Sequence, residues 1–177
     1  MVLYFGRISR KKGLDLLTKA FAELPADAHL AIVGPDDRDG SIAQLEGLRR
    51  AMKLEGRMHI AGARFGRGRL EAFVDADVFV LPSINENFGN VAAESIACGV
   101  PAIVSDQCGI APILGDRAGR VVPYDQAALT RAMQTLLFDR DARARAVSAC
   151  AAVAAELSWD ERITEMEALY ARVARRS

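Results

Sequence analysis

The sequence lacks the features that would place it in several large classes of proteins. Its 23 basic and 23 acidic residues cancel, so no global charge predicts a nucleic acid or an anionic membrane as its partner. Its 3 cysteines have no CxxC spacing, which disfavours a zinc site or a disulfide scaffold and makes a cytoplasmic location the expectation. No apolar run reaches the roughly 18–20 residues of a membrane span, so no span is predicted in this chain, and peripheral membrane contact stays open for a longer protein that contains it.

Familiar motifs for phosphate binding and acid–base catalysis are also missing. No GxxxxGK[ST] or GxGxxG segment follows an apolar run, so neither a P-loop nor a dinucleotide site is supported. His59 lies within a strand-like run and His29 opens another, and we expect neither to be catalytic. The Asp75–Asp77 pair precedes a predicted strand, whereas ligands of parallel sheets bind beyond strand ends, so no metal site is predicted there.

Short apolar runs alternate with helical segments along the chain. With 177 residues, of which 51% are apolar, the chain is long enough for one domain with a sizeable core. We predict an α/β fold, a single Rossmann-like domain with a parallel sheet of about six strands flanked by helices and a C-terminal helical extension. The strands are expected at residues 2–6, 29–34, 58–62, 77–83, 100–106 and 119–124, and the chain from Asp125 onward is expected to be helical.

The helix after the second strand has a sequence signal at each end. Ser41 is a residue type that caps a helix start, and Gly56 is a type that ends one. These signals predict a helix over residues 42–54.

A basic segment, GRISRKKG, follows the first predicted strand. Gly6 ends the strand, and the next helix opens at Gly13. A helix start already favours an anion, because its first N–H groups lack partners and the helix dipole is positive there. The basic side chains make the loop a candidate phosphate site, and a solvated basic loop is the alternative. They are Arg7, Arg10, Lys11 and Lys12.

Two glutamates, Glu86 and Glu94, stand in the segment INENFGNVAAESIACGVP (residues 84–101), which otherwise has the composition of a core. An unpaired buried carboxylate is costly. The fourth predicted strand ends at Pro82, so we expect a loop over residues 84–88 and a helix that begins near residues 89–90. Glu86 then precedes the helix and Glu94 lies just past its first turn, which lets the two carboxylates reach different parts of one extended ligand.

The backbone between the two glutamates suits an anion. The amides of Phe88, Gly89 and Asn90 face the helix start, and Gly89 permits a close approach that a side chain would block. Because two carboxylates repel an anion, their expected partners are neutral hydroxyls, such as those of a hexose or a ribose. Alternatively, Glu86 stabilises the helix dipole and Glu94 faces solvent, which fits Glu94 poorly among its apolar neighbours.

These segments together resemble the retaining GT-B glycosyltransferases of glycosyltransferase family 4. The run VFVLPSINENFGNVAAESIACGVPAIVSD is similar to the family's E-x7-E region, and YFGRISRKKGLDLLTKAF is similar to its Gly-Arg…Lys-Gly segment. AIVG, MHIAG and DADVFVLPS occur in the expected order, and GRVVPYDQAALTRAMQTLLFD and LSWDERITEMEALY are similar to the family's last segments. The resemblance implies that residues 1–177 are the C-terminal, nucleotide-sugar-binding domain of such an enzyme, with the N-terminal acceptor domain absent.

The resemblance also implies a role for each matching residue. Arg7 and Lys12 would neutralise the donor diphosphate as the nucleotide departs, and Glu86 would hold hydroxyls of the donor sugar, so these three are the expected catalytic residues. Glu94 would hold the ribose hydroxyls. The expected nucleotide-sugar site is completed by Gly6, Gly34, Ala63, Arg64, Phe65, Asn87, Phe88, Gly89, Asn90 and Val91, of which residues 63–65 would lie near the base.

The implied reaction transfers a hexose from a nucleotide diphosphate sugar, such as a UDP-, GDP- or ADP-hexose, to a glycan, lipid or small-molecule acceptor. The resemblance implies retention at the anomeric carbon without a metal or other cofactor, because Arg7 and Lys12 carry the charge that a metal would otherwise carry. The chain begins inside a predicted strand and has one Rossmann-like unit, so we expect part of a longer enzyme that transfers no sugar alone.

Two alternatives stay open from the sequence. A non-catalytic nucleotide-binding or interaction module could use the same fold, although it would not need Arg7, Lys12, Glu86 and Glu94 together. A GT-B nucleotide-sugar epimerase would need acid–base residues from both halves of the enzyme, and no suitable histidine is present here.

Overall fold

The computed structural model describes residues 1–174 and contains a sheet of six strands. The strands are β1 (Val2–Phe5), β2 (Leu30–Val33), β3 (Met58–Ala61), β4 (Val78–Leu81), β5 (Ala102–Ser105) and β6 (Gly119–Val122). Their order across the sheet is β3-β2-β1-β4-β5-β6, and every neighbouring pair is parallel. The predicted α/β, Rossmann-like fold is confirmed.

Helices connect the strands and form the C-terminal part of the described chain. They are α1 (Leu14–Ala22), α2 (Ser41–Ala51), α3 (Arg67–Val74), α4 (Asn90–Ala97), α5 (Ala111–Leu114), α6 (Gln126–Phe138), α7 (Arg140–Glu156) and α8 (Trp159–Ala174). Asp125 and Asp139 start α6 and α7, because each carboxylate accepts a hydrogen bond from a backbone N–H in the first turn, at 2.8 and 2.9 Å. A 3₁₀ turn, Arg10–Lys12, precedes α1.

The central strands are covered on both faces. Every residue of β1, β4 and β5 is buried, and Leu3, Tyr4 and Phe79 have no exposed surface. Strands of a parallel sheet with helices on both sides have no solvent-facing side, so their side chains are apolar without alternation. The continuous apolar run in residues 77–83 therefore predicted its place in the sheet correctly.

Helix α2 begins and ends differently from its expected bounds. It begins at Ser41 with Gly40 as the N-cap residue, so Ser41 is not the cap. The Asp39 carboxylate accepts a hydrogen bond from the backbone N–H of Ser41 at 3.0 Å and so satisfies the helix start. At the other end Lys53 takes a left-handed φ of 56°, which stops the helix before Gly56 is reached.

The chain moves outward in opposite directions from the middle of the sheet. It proceeds from β1 to β2 and β3 on one side, and from β4 to β5 and β6 on the other. Such a reversal of strand order opens a crevice beyond the carboxyl ends of β1 and β4, and open α/β sheets bind ligands there. The basic segment follows β1 and the glutamate segment follows β4, so the fold brings both to this crevice.

Helix α8 presents apolar side chains to solvent. Trp159 is 79% exposed, and Ile163, Met166 and Tyr170 are exposed as well. Their spacing places them on one face of the helix. No helix in residues 1–174 is long and apolar enough to cross a membrane.

Candidate functional site

The basic segment and the glutamate segment contact each other through their backbones. The N–H of Ile84 donates a hydrogen bond to the carbonyl of Lys11 at 2.9 Å. Gly13 has a left-handed φ of 65°, and a Cβ at this position would lie 2.0 Å from the carbonyl oxygen of Pro82. Only glycine fits such an approach, so this residue fixes the two segments side by side.

Lys12 and Glu86 form an ion pair across this junction, and their side chains are only 18% and 20% exposed. The hydroxyl of the buried Tyr4 donates a hydrogen bond to the carbonyl of Arg7 at 2.6 Å. Burial, and then the charge of Glu86, raise the pKa of Tyr4 far above its ordinary value. Tyr4 therefore remains a protonated donor that holds the start of the basic segment.

Arg7 extends toward the loop that follows β2. Its guanidinium lies 3.3 Å from the Asp37 carboxylate, and the Arg7 side chain is 67% exposed. The Asp39 carboxylate accepts a hydrogen bond from the first residue of the 3₁₀ turn at 2.9 Å. A Cβ on Gly34 would lie 1.7 Å from the carbonyl oxygen of Gly6, so the loops after β1 and β2 also touch through their backbones. These contacts hold the basic segment from a second side.

The loop over residues 84–90 is held by the loop that follows β5. The N–H of Glu86 donates to the Gln107 carbonyl at 3.1 Å, and the Glu86 carbonyl accepts from the N–H of Gly109 at 3.0 Å. A Cβ at residue 109 would lie 2.0 Å from the carbonyl oxygen of Asn87. The position of Glu86 thus depends on close backbone contact with a segment that sequence reasoning did not assign to the site.

Helix α4 begins where the sequence predicted. Gly89 is its N-cap residue, with a φ of 102°, and Asn90 is its first helical residue. Within residues 1–174, the backbone N–H groups of residues 87–91 donate to no protein acceptor. These five groups belong to Asn87, Phe88, Gly89, Asn90 and Val91. A row of unpaired N–H groups at a helix start is a suitable place for an anion.

Glu94 pairs with an arginine that the sequence did not single out. The guanidinium of Arg69, on α3, donates from Nη2 to Oε2 of Glu94, and the two side chains are 39% and 40% exposed. The same guanidinium lies over the ring of Phe5, with Cζ 5.5 Å from the ring centroid. Glu94 is therefore neither buried alone nor a purely solvent-facing side chain.

The loops at the crevice thus combine three chemical features. Arg7 and Lys12 supply positive charge after β1, and the free N–H groups of residues 87–91 follow β4. Glu86 and Glu94 each offer carboxylate oxygens at the margins. An anion flanked by hydroxyl groups is the ligand chemistry that matches this arrangement.

The sequence of residues 1–151 matches the family model of the glycosyl transferases group 1. This range includes every site residue described above. The chain belongs to this family. It is 30% identical over 179 aligned residues to a D-inositol 3-phosphate glycosyltransferase of Xylanimonas cellulosilytica. This alignment covers 99% of the chain and 43% of that protein.

Solved structures share the fold of this chain. The chain superimposes on sucrose-phosphate synthase from Thermosynechococcus elongatus with a TM-score of 0.84 and 30% identity, over 99% of the chain and 46% of that structure. The Anabaena protein HepE, in complex with UDP and glucose, shares the fold with a TM-score of 0.85 and 23% identity, over 94% and 47% of the two chains. This group 1 glycosyl transferase chain therefore spans less than half the length of these proteins.

The loop after β3 stays a separate prediction in this glycosyl transferase chain. It leaves the edge strand of the sheet, two strands away from β1. Arg64 and Phe65 are exposed, Phe65 to 80%, and Ala63 is half-buried. The structure brings the residues at the ends of β1 and β4 together, and a base contact for residues 63–65 stays a prediction.

The histidines and the Asp75–Asp77 pair lie outside the crevice. Asp77 precedes β4 and lies 2.7 Å from the guanidinium of Arg143, at the amino ends of the strands. His29 and His59 are exposed, and their rings stack with centroids 6.1 Å apart.

Sequence reasoning missed Tyr4, Asp37 and Arg69. Tyr4 stands in an apolar strand, where its hydroxyl gave no signal. Asp37 follows the second strand in an acidic turn, and the opposite charge of the neighbouring basic segment was a usable signal once the strand order was assumed. Arg69 is one of three arginines in residues 64–69, and nothing local separates it from the solvent-facing ones.

Proposed function

We propose that this chain is the nucleotide-sugar-binding half of a retaining, metal-independent hexosyltransferase. The proposal rests on one observation at the β1/β4 crevice. The segment after β4 contains both Glu86, which pairs with Lys12, and the unpaired N–H groups of residues 87–91. Membership of the glycosyl transferases group 1 family supports the reaction class.

The diphosphate is expected to bind between the basic segment and the start of α4. Lys12 has three ammonium hydrogens, so it can keep Glu86 as a partner and still donate to a phosphate oxygen. Arg7 uses one nitrogen toward Asp37 and keeps further N–H groups for an anion. Together with the free N–H groups of residues 87–91, these cations would stabilise the charge that develops as the nucleotide leaves. No metal is needed for that charge in this proposal.

The two carboxylates would bind the hydroxyl groups at the two ends of the donor. Glu86, held by Lys12 through Oε2, would accept from hydroxyls of the hexose with its other oxygen. Glu94 would accept from the ribose hydroxyls. Neither glutamate has to transfer a proton in this scheme, because each acts by orienting the donor.

The acceptor would be a glycan, a lipid or a small molecule bound mainly by another domain. The relatives are about twice as long as this chain, since it spans 43% of the Xylanimonas protein. We therefore propose that the 177-residue chain binds the donor and transfers no sugar by itself.

Calorimetric titration with UDP, GDP and ADP and with their hexose derivatives tests the proposal. We expect one base series to bind the wild-type chain equally in Mg²⁺ and in EDTA. Arg7→Ala and Glu94→Ala should each weaken binding by about tenfold, since each removes a charged hydrogen-bonding group. Glu86→Gln should weaken the nucleotide sugar more than the free diphosphate.

Arg67→Met is the matched control, because Arg67 is 91% exposed on α3 and pairs only with Glu71 in the described chain. It should leave every affinity unchanged. Absence of nucleotide binding by the wild type, or full binding by both Arg7→Ala and Glu94→Ala, would overturn the proposed site. Sugar transfer to an acceptor by the purified chain would contradict the proposal that it is inactive alone.

A further inference from the structure

We propose that Arg69 is a positioning residue for Glu94, and that through this contact it makes the site prefer ribose over 2′-deoxyribose. The inference rests on the proposed function, because it concerns the same nucleotide. It assigns a role to a residue on α3 that neither the sequence motifs nor the family resemblance identified.

The packing of α3 determines where Arg69 lies. Phe73 is fully buried, and its ring contacts Phe5 and Phe79 with centroid distances of 5.4 and 6.0 Å. Arg69 precedes Phe73 by four residues, so both side chains are on the same face of α3. Phe73 therefore anchors the helix in the core, and Arg69 lies one turn earlier, over the ring of Phe5 at the end of β1.

The contact between Arg69 and Glu94 occupies only part of each group. One guanidinium nitrogen of Arg69 donates to Oε2 of Glu94. Within residues 1–174, Oε1 of Glu94 has no hydrogen-bond partner. The carboxylate is thus held at one oxygen while the other stays free to accept from a ligand hydroxyl.

Without this contact, Glu94 would be a half-exposed side chain on a helix surface, free to change rotamer. Ordering such a side chain on ligand binding costs conformational free energy. Arg69 itself is held by the Phe5 ring, since a guanidinium over an aromatic face is attracted to it. The carboxylate is therefore already oriented before the nucleotide arrives.

A carboxylate that is already oriented loses little free energy to ordering when it accepts a hydrogen bond from the hydroxyl that it faces. The 2′-hydroxyl is absent from 2′-deoxyribose, so a positioned Glu94 rejects the deoxy compound by leaving an acceptor without its donor. If Arg69 instead contacted the diphosphate, its loss would weaken both sugars equally. If it competed with the ribose for Glu94, its loss would strengthen binding.

The test is calorimetry with UDP and 2′-deoxy-UDP, or with the GDP or ADP pair if the wild type binds that base. The wild-type chain should prefer the ribonucleotide by about tenfold or more. Arg69→Met should reduce this preference to about twofold, by weakening the ribonucleotide and leaving the deoxynucleotide within a factor of about two. Arg69→Lys keeps the positive charge but loses the planar guanidinium, so its preference for the ribonucleotide should lie between those of the wild type and Arg69→Met.

Arg67→Met is again the control, because it removes the same charge from the same helix at a 91% exposed site. Its preference should equal that of the wild type. Urea denaturation of each variant shows whether it is folded at the titration temperature, and Arg69→Lys gives a second reading of the preference.

Four results would overturn the inference while leaving the proposed function intact. Two of them are a wild type without preference for ribose and an Arg69→Met variant that keeps the full preference. The other two are an Arg69→Met variant in which both affinities change equally and one that binds the ribonucleotide more tightly than the wild type does. A wild-type chain that binds none of the diphosphates contradicts the proposed function instead, and the inference falls with it.

Discussion

The two glutamates of one short segment have very different surroundings. Glu86 and its partner Lys12 are 18–20% exposed, whereas Glu94 and its partner Arg69 are 39–40% exposed. Glu86 lies in an irregular loop that touches the segments after β1 and β5. Glu94 lies on the surface of α4, and within residues 1–174 the side chain that pairs with it is Arg69 of α3.

The comparison shows two ways of fixing a carboxylate at the same crevice. A loop residue has no regular backbone to position it, so Glu86 depends on close backbone approaches at Gly13 and Gly109. A helical residue takes its backbone position from the helix, so Glu94 needs only a side-chain partner. Substitutions around Glu86 should therefore lower the free energy of unfolding, whereas substitutions around Glu94 should mainly change the affinity for the ligand.

Among changes around Glu86, Gly109→Ala should have the largest effect on the free energy of unfolding. Its Cβ would lie 2.0 Å from the Asn87 carbonyl oxygen, so the loop that carries Glu86 has to shift. We expect a loss of about 2–3 kcal/mol in the free energy of unfolding, measured by urea denaturation. Gly47→Ala is the control, since no atom lies within 4 Å of a Cβ there, and helix propensity should make it stabilising by up to about 1 kcal/mol. Equal stability of Gly109→Ala and wild type would mean that this approach does not fix the loop.

Lys12→Met should rank second, because it leaves the Glu86 carboxylate without its partner in a largely enclosed place. We expect the free energy of unfolding to fall by about 1–3 kcal/mol, less than for a fully buried pair because about a fifth of each side chain is exposed. A double-mutant cycle with Glu86→Gln isolates the coupling between the two side chains. A coupling near zero would remove the distinction between the two glutamates.

The Arg69–Glu94 pair should couple more weakly. The cycle of Arg69→Met and Glu94→Gln should give under about 1 kcal/mol in the free energy of unfolding, since both side chains are well exposed. This coupling should decrease further as salt is raised to about 1 M, whereas that of Lys12–Glu86 should decrease less. Equal salt sensitivity of the two couplings would contradict the comparison.

The smallest effect concerns the thiols next to the two glutamates. Partial burial, and then the charge of Glu94, raise the pKa of Cys98, so its thiolate forms at higher pH than that of a free thiol. Glu94→Gln removes one of these causes, lowers the pKa and should speed alkylation of Cys98 by about twofold near pH 8. Mass spectrometry of alkylated peptides measures the rate.

Cys108 is the internal reference for this experiment. It is 2% exposed, and burial is the main cause that raises its pKa. It should stay unmodified in the folded wild type and in Glu94→Gln. A Cys98 rate that is unchanged or slower in the variant would contradict the expected direction.

Much of the fold followed from local patterns. Continuous apolar runs predicted buried parallel strands, and Gly89-Asn90 predicted the start of α4, because both depend on backbone preferences within a few residues. The predicted ends of α2 were wrong. The Asp39 carboxylate accepts from the first N–H of the helix, and Lys53, instead of a glycine, takes the left-handed conformation after its last turn. A non-glycine residue in that conformation has no reliable sequence signal.

The site was predictable only in part, for a related reason. The basic segment and the segment with both glutamates were predicted to lie at one candidate site, because each segment follows a strand end and the strand order brings such loops together. Arg69 was not predicted. Its place at the crevice depends on Phe73, which lies four residues later on α3 and packs in the core. A helix pattern alone does not say which of several arginines faces a site.

The sequence by itself determined the α/β architecture, the order of the loops and the placement of both glutamates around a helix start. The tertiary structure alone decided the partner of each glutamate. Lys12 is 74 residues from Glu86, and Arg69 is 25 residues from Glu94. Contacts over such separations depend on which strands become neighbours and how each helix turns toward the sheet, and neither is encoded in a local pattern.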